Sequence, residues 1–157
     1  MSLFFLDSNI VIKYYYTEPG STWVRQLVND QSNTCLISEI TVPEVAAALS
    51  QLHHYKHFGR RFLNETFQQF EEAIIEGKFL NQILTTETLT QAARLALSHV
   101  IKGYDAVQVS AALIVQQKVS QKPIVISGDK QVLHLAKAVG LSVETPFDHI
   151  LPEDQQR

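Results

Sequence analysis

Four acidic residues stand where short apolar runs of the sequence give way to helix-like segments. Asp7 follows LFFL, Glu44 follows CLIS and TVP, Asp105 lies in KGYDAVQVSAAL, and Asp129 follows IVISG. Parallel strands end at one edge of their sheet, where ligands bind, so carboxylates that follow different strands can meet there. Four oxygen donors with no accompanying Cys or His suit a hard cation such as Mg²⁺ or Mn²⁺. The sequence therefore predicts a metal site built from these carboxylates.

The same four acids could instead be ordinary helix caps, because acidic groups stabilise the free N–H groups at helix starts. Thr41 and Glu44 form the capping-box pattern T-x-x-E. Four acidic helix starts on one sheet edge would nevertheless crowd negative charge, which a divalent cation would relieve. Asn9 and Ser127 lie two residues from Asp7 and Asp129 and could orient carboxylates or hold water, although ordinary turn chemistry is the alternative.

Apolar runs of strand length alternate with helical patterns along the chain. The predicted strands are residues 3–6, 34–37, 79–84, 123–126 and 141–144. Apolar residues at spacings of three and four indicate helices at about 89–100 and 132–139, and further helices are predicted around Ile10 and Val11 and at about 41–55, 60–76 and 104–115. This alternation predicts an α/β fold with a mainly parallel sheet and helices on both faces.

Two regions carry further expectations about exposed surface. The helices at 41–55 and 60–76, separated by Gly59, are expected to project from the sheet. Three consecutive aromatics, Tyr14, Tyr15 and Tyr16, cannot all face the core, so at least one is expected to be exposed. Half-buried packing is one interpretation of this run, and an antitoxin or dimer contact is the other. The domain is expected to span residues 1–147, followed by a polar tail at 148–157 whose last seven residues fray.

Size and charge limit the class of protein. A chain of 157 residues matches one ordinary domain, and its net charge of -3 argues against binding nucleic acid by bulk electrostatics. The only dense basic group, HHYKHFGRR at residues 53–61, is either a solvated helix end or a local RNA contact. The start MSLFFLDSN lacks the basic region of a signal peptide, and the single Cys35 fits a reducing cytoplasm.

The order of four segments, FFLDSNIVI, SEITVPEV, KGYDAVQVSAAL and VISGDKQVLHLAKAVGL, resembles the PIN domain, and within it the VapC toxins of bacterial toxin-antitoxin pairs. The resemblance covers residues 3 to about 145. It implies a three-layer α/β/α fold with a five-stranded sheet and a Mg²⁺- or Mn²⁺-dependent endoribonuclease. Its acidic quartet falls on Asp7, Glu44, Asp105 and Asp129, with Ser127 as the small hydroxyl residue. Many relatives carry Arg where this chain has Lys102.

The resemblance also implies partners: an RNA substrate, a cognate antitoxin protein and a second copy of the chain in a homodimer. An apolar groove near Tyr14–Tyr16 and the helix pair 41–76 is expected to accept an antitoxin segment. Two alternatives stay open. A phosphatase of the haloacid dehalogenase type also places Asp after its first strand, but the second acid of its D-x-D signature is Asn9 here. The other alternative is a non-catalytic PIN-like binding domain.

Overall fold

The computed structural model describes residues 1–155, which form a five-stranded sheet between two layers of helices. The strands are β1 Leu3–Leu6, β2 Thr34–Ser38, β3 Leu80–Gln82, β4 Ile124–Ile126 and β5 Ser142–Glu144. Their order is β3-β2-β1-β4-β5, and all four pairings are parallel. The predicted α/β class and five-stranded sheet are confirmed. The strand order reverses at β1: β2 and β3 lie on one side of it, and β4 and β5 lie on the other.

The central strand β1 divides the core into two clusters because its side chains alternate between the faces of the sheet. Phe4 and Leu6 enter the first cluster, which packs the helices between residues 8 and 75 on one face of the sheet. Leu3 and Phe5 enter the second, which packs the helices at residues 103–118 and 130–138 on the other face. Burial on both faces explains why β1 reads as an uninterrupted apolar run. The result is the three-layer α/β/α arrangement.

Seven α-helices lie within residues 1–155, and one of them was missed by the sequence patterns. They are α1 Ser8–Tyr15, α2 Ser21–Asn29, α3 Thr41–Lys56, α4 Arg60–Ile75, α5 Thr86–Ser98, α6 Gly103–Lys118 and α7 Lys130–Ala138. The missed helix is α2, which buries Val24, Leu27 and Val28 at helical spacing. Each of these helices is too short or too polar to cross a membrane.

The prediction that the helices at 41–55 and 60–76 project from the sheet is wrong for α3. Val45, Leu49 and Leu52 form an apolar stripe that is buried in the first cluster. The second helix, α4, adds Phe70 and Ala73 to the same cluster. The pair therefore completes a layer of the fold.

The prediction of an exposed tyrosine in Tyr14–Tyr16 is also wrong, because all three residues are half-buried. In chain order their rings make edge contacts with Phe79, Phe70 and Phe58 at centroid distances of 5.9, 6.4 and 5.2 Å. A tyrosine ring can be packed while its hydroxyl reaches a polar partner at the rim. The hydroxyl of Tyr14 does so by donating to Asn29 Oδ1 at 2.8 Å.

The polar tail does not fray within the described part of the chain. It forms two short 3₁₀ helices, Pro146–His149 and Pro152–Gln155. The carboxylate of Asp154 is buried and accepts hydrogen bonds from the start of α2. A polar segment can dock when its charged group satisfies backbone donors, which composition alone does not reveal. The last two residues of the tail, 156 and 157, lie outside the described residues.

Candidate metal centre at the carboxyl edge of the sheet

The structure brings all four predicted acids to the carboxyl edge of the sheet. Asp7 ends β1 and caps α1, while Asp129 follows β4 and caps α7. Glu44 lies in the first turn of α3, just after β2, and Asp105 lies in the first turn of α6. The charges of Asp7 and Asp129 both act on Asp105, which puts the start of α6 at the same edge. The four carboxylates thus share one region of the surface.

Asp7 is the most buried of the four, with 4 % of its surface exposed. Its Oδ1 accepts a hydrogen bond from the Ser8 N–H at 2.7 Å. Its Oδ2 accepts from Asn9 Nδ2 at 2.7 Å and from Ser127 Oγ at 2.6 Å. Asn9 Oδ1 in turn accepts from the Gly128 N–H at 2.8 Å. Asn9 and Ser127 therefore fix the orientation of Asp7 and tie the start of α1 to the loop after β4.

Glu44 is positioned by Gln108, a residue that the sequence analysis did not single out. The amide Nε2 of Gln108 donates to Glu44 Oε2 at 2.7 Å and to Thr41 Oγ1 at 3.0 Å. Gln108 lies three residues after Asp105 on α6 and is buried. A polar residue in an otherwise apolar helix, one turn from a site residue, was the available signal. Gln108 connects the helices that carry Asp105 and Glu44.

The electrostatics of the region show carboxylates that are crowded and not neutralised. Burial raises the pKa of Asp7, against the hydrogen bonds that lower it, and the charge of Asp129 raises it further. Burial also raises the pKa values of Glu44 and Asp105, and the charge of Asp7 adds to both. Within residues 1–155, none of the four acids forms a salt bridge. Lys102 lowers the pKa of Asp105 only from a distance.

The carboxylates fit a hydrated cation better than a fully protein-bound one. In the described part of the chain, no three His, Cys, Asp or Glu side chains are grouped to hold a metal ion directly. Asp129 Oδ1 accepts from the Gln131 N–H at 2.7 Å, and Glu44 is held by Gln108. Mg²⁺ usually keeps several waters and binds proteins through one or two carboxylates. The donor set and its uncompensated negative charge are therefore compatible with Mg²⁺ or Mn²⁺.

The Asp105→Asn variant is expected to be more stable than the wild type at neutral pH in EDTA. Because the folded-state pKa of Asp105 is raised above the ordinary value of 3.8, its ionised form opposes folding above the raised pKa. Each unit by which folding raises the pKa costs about 1.4 kcal/mol of stability. Solvent screening makes the cost smaller at this partly exposed site. The gain from Asn should therefore fade as the pH falls towards 3.8. Urea denaturation across a pH series measures this difference.

Glu87→Gln is the matched control for Asp105→Asn. Glu87 also lies in the first turn of a helix, α5, but its Oε2 is 3.8 Å from Lys118 Nζ. Its neutralisation removes a favourable charge from a helix start and should lower the unfolding free energy by a few tenths of a kcal/mol. Equal effects of the two substitutions would contradict charge crowding at Asp105.

The basic group at residues 53–61 lies away from the carboxylates. Glu44 is in the first turn of α3 and Lys56 is its last residue, so about 18 Å of helix separates them at roughly 1.5 Å per residue. His57 ends the helix in a left-handed conformation, and Gly59 precedes α4. The group thus lies at the exposed end of α3 and the start of α4, and a local RNA contact there stays a prediction.

These observations define the protein as a doubly wound α/β domain with four acidic residues at the carboxyl edge of its sheet. Residues 4–138 match the family model of the PIN domain, and the chain belongs to this family. All four acids lie inside the matched range. The predicted family is thereby confirmed.

Known proteins of similar sequence and structure agree with this assignment. Ribonuclease VapC45 of Mycobacterium tuberculosis is 29 % identical over 115 residues, which cover 73 % of this chain and 78 % of that protein. The crystal structure of VapBC2 from Rickettsia felis, bound to a DNA fragment from its promoter, has a TM-score of 0.61 at 15 % identity and covers 91 % of this chain and 98 % of its own. FitAcB from Neisseria gonorrhoeae has a TM-score of 0.61 at 18 % identity and covers 92 % and 98 %.

Proposed function

We propose that this protein is a Mg²⁺- or Mn²⁺-dependent endoribonuclease that acts as the toxin of a toxin-antitoxin pair. The observation that carries the proposal is the group of four carboxylates without cationic partners at the carboxyl edge of a PIN-domain sheet. The relative from Mycobacterium tuberculosis is named as a ribonuclease. A phosphodiester repels an incoming anion, and a bound divalent cation would offset that charge and lower the pKa of water.

The residues have separate roles in this proposal. Asp7 and Asp105 would hold the cation most directly, with Asn9 and Ser127 orienting the Asp7 carboxylate. Glu44 and Asp129 would complete its shell through water, with Gln108 and the α7 backbone fixing one oxygen of each carboxylate. One of these two acids takes the proton of the attacking water. In-line attack then leaves a 5′-phosphate and a 3′-hydroxyl.

The two alternatives fit the site less well. In a haloacid-dehalogenase-like phosphatase, an acid at position 9 would exchange protons with the leaving group. Here Asn9 stands there, and its amide is engaged on both sides by Asp7 and Gly128. A non-catalytic binding domain needs no acidic quartet, and the self-repulsion of these carboxylates lowers the stability of a protein that would gain nothing from it.

Cation-dependent cleavage of RNA tests the proposed function. The purified chain is incubated with a pool of single-stranded oligoribonucleotides in Mn²⁺, in Mg²⁺ and in EDTA, and with p-nitrophenyl phosphate under the same conditions. Internal cleavage in Mn²⁺ or Mg²⁺, absent in EDTA, is the expected result. Release of p-nitrophenol without RNA cleavage would favour the phosphatase, and no reaction in any condition would favour the binding domain.

The partners follow from the same proposal. An antitoxin is proposed because the similar solved structures include VapBC2. Of the expected apolar groove near Tyr14–Tyr16 and the helix pair 41–76, the part between α3 and α4 is a cavity of about 200 Å³ lined by Ala46, Leu49, Leu63 and Phe67 together with polar residues at its rim. The part beside Tyr14 and Tyr15 is not apolar. The cavity there, about 440 Å³, is lined mostly by polar and charged side chains such as Arg25, Gln69 and Glu72. An antitoxin contact at this surface would therefore be polar. Homodimer formation stays a prediction, as does the cytoplasmic location, with which the buried, unpaired Cys35 is compatible.

A further inference from the structure

Phe147 is an aromatic residue beside the acidic site that lies beyond the family match, which ends at residue 138. It belongs to the 3₁₀ helix Pro146–His149, and 48 % of its surface is exposed. A Cβ built on Gly128 would lie 3.3 Å from Phe147 Cε2 and 3.3 Å from Asn9 Oδ1. The ring therefore packs against the loop that carries Ser127 and Asp129.

The ring is held in place from several sides. Pro146 is buried and approaches Gly20 so closely that a Cβ there would lie 2.7 Å from Pro146 Cβ. The ammonium of Lys13 lies 4.9 Å from the centroid of the Phe147 ring, and the same ammonium is 3.0 Å from Glu18 Oε2. A cation over an aromatic face is attracted by the ring quadrupole. Phe147 is thus held in place, with the Lys13 ammonium over one face of the ring and about half of the side chain exposed to solvent.

The ring lines an open cleft that also contains part of the acidic site. The cleft has a volume of about 490 Å³ and is lined by Asn9, Lys13, Glu18, Gly128, Asp129, Lys130 and Phe147. Lys130 is exposed at the start of α7, next to Asp129. An aromatic face suits a planar base and an exposed ammonium suits a phosphate. One cleft therefore combines the chemistry for both parts of a nucleotide.

We propose that Phe147 stacks on the base of a nucleotide next to the scissile phosphate, with Lys130 contacting the RNA backbone. This inference rests on the proposed ribonuclease function and specifies its substrate as single-stranded RNA. Bases of a duplex are stacked on their neighbours, so only an unpaired base can lie on a protein aromatic. Stacking tolerates any base, so this subsite positions the strand and leaves sequence selection to other contacts.

The experiment pairs a change in the protein with a change in the RNA. The cleavage position is first identified by sequencing the products of a single-stranded RNA pool in Mn²⁺. Oligoribonucleotides with that site then carry one abasic residue at each position around it. For the wild type, one abasic position within two nucleotides of the cut should raise KM about tenfold, the scale of one lost stacking contact, with kcat little changed.

Phe147→Leu keeps an apolar side chain but removes the aromatic face. It should raise KM about tenfold on intact RNA and make the sensitive abasic position neutral, because the same contact cannot be lost twice. Phe147→Tyr keeps the ring and should behave as the wild type. Phe67→Leu, a change at a half-buried aromatic on α4, is the control and should leave the abasic pattern unchanged.

The outcomes separate this inference from the proposed function. If the wild type does not cleave RNA in Mn²⁺ or Mg²⁺, both are overturned. If it cleaves and no abasic position is sensitive, or Phe147→Leu and the abasic change act additively, only the stacking inference is overturned. The same holds if Phe147→Leu weakens binding of a protein partner and leaves RNA kinetics unchanged. A wild-type series with no sensitive abasic position overturns the stacking inference even if Phe147→Leu fails to fold.

Discussion

Replacing Asp7 by Asn is expected to lower the rate of RNA cleavage by at least about a hundredfold, the scale of losing one positioned electrostatic group in an active site. In the proposed metal site, the substitution would remove a charge that holds the cation. It also replaces one carboxylate oxygen with an amide NH₂. In one orientation this NH₂ faces the donors Asn9 Nδ2 and Ser127 Oγ, and in the other it faces the Ser8 N–H. Either orientation sets a donor against a donor, so the side chain should lose its fixed position as well.

Single-turnover cleavage rates and thermal unfolding with and without Mn²⁺ measure the two consequences. The wild type should gain about 2.7 kcal/mol of stability at a Mn²⁺ concentration of about a hundred times Kd, and Asp7→Asn should gain much less. Asp30→Asn is the matched control, because Asp30 follows α2, is exposed and contacts Ser32. An Asp7→Asn protein that cleaves normally and still gains stability from Mn²⁺ would refute the proposed metal site.

The strands and the four acids could be predicted because their signals are local. A strand that is buried on both faces must be apolar throughout, as Leu3–Leu6 is, and its end is marked by the first polar residue. In a parallel sheet that first residue lies at the ligand-binding edge by topology alone. Asp7 therefore follows directly from the sequence, and Asp129 lies two residues after Ser127, the first polar residue after β4. Asp105 was indicated by its place at the start of the apolar segment KGYDAVQVSAAL, and the family resemblance then supported it.

Gln108 and Phe147 could not be predicted in the same way, because their roles depend on contacts between distant parts of the chain. Gln108 donates to Glu44, which is 64 residues away. Phe147 lies against Gly128 and Lys13 only because the segment after β5 turns back over the site. Gln108 stands out locally as a polar residue in an apolar helix, but that pattern does not identify its partner Glu44, and Phe147 stands in no local pattern at all. Their positions beside the acids became visible only once the sheet order was known.

The C-terminal segment gives the second large expected effect, in stability. Gly20 caps α2 in a left-handed conformation with φ of 86°, and it has no side chain to accept the free N–H groups of the helix start. Asp154 supplies the missing acceptor from 134 residues away. Its Oδ1 accepts from Thr22 N at 3.1 Å and Thr22 Oγ1 at 2.7 Å, and its Oδ2 accepts from Gly20 N at 3.1 Å and Leu151 N at 3.2 Å.

Asp154→Ala is therefore expected to lower the unfolding free energy by about 2 to 4 kcal/mol, since it removes a helix cap and leaves several donors unsatisfied. Burial acts to raise the pKa of Asp154, but hydrogen bonds from Thr22, Leu151 and Gly20 lower this pKa below its ordinary value of 3.8. A carboxylate whose pKa is lower in the folded state than in the unfolded state stabilises the fold at pH values above its unfolded-state pKa. This contribution is lost as the pH falls through its folded-state pKa. The difference between variant and wild type should therefore be full at neutral pH and shrink below about pH 3.8.

Urea denaturation of Asp154→Ala beside Glu153→Ala tests this role. Glu153 belongs to the same 3₁₀ helix but is exposed, so its removal should change the unfolding free energy by no more than about 0.5 kcal/mol. Asp154→Asn should fall between the two, because its single amide oxygen can accept from only part of the donor set. If Asp154→Ala were as stable as Glu153→Ala, the C-terminal segment would not hold the start of α2. Because the same segment carries Phe147 past Gly128, a loss of this cap should also weaken the abasic-position effect on KM while the carboxylates stay in place.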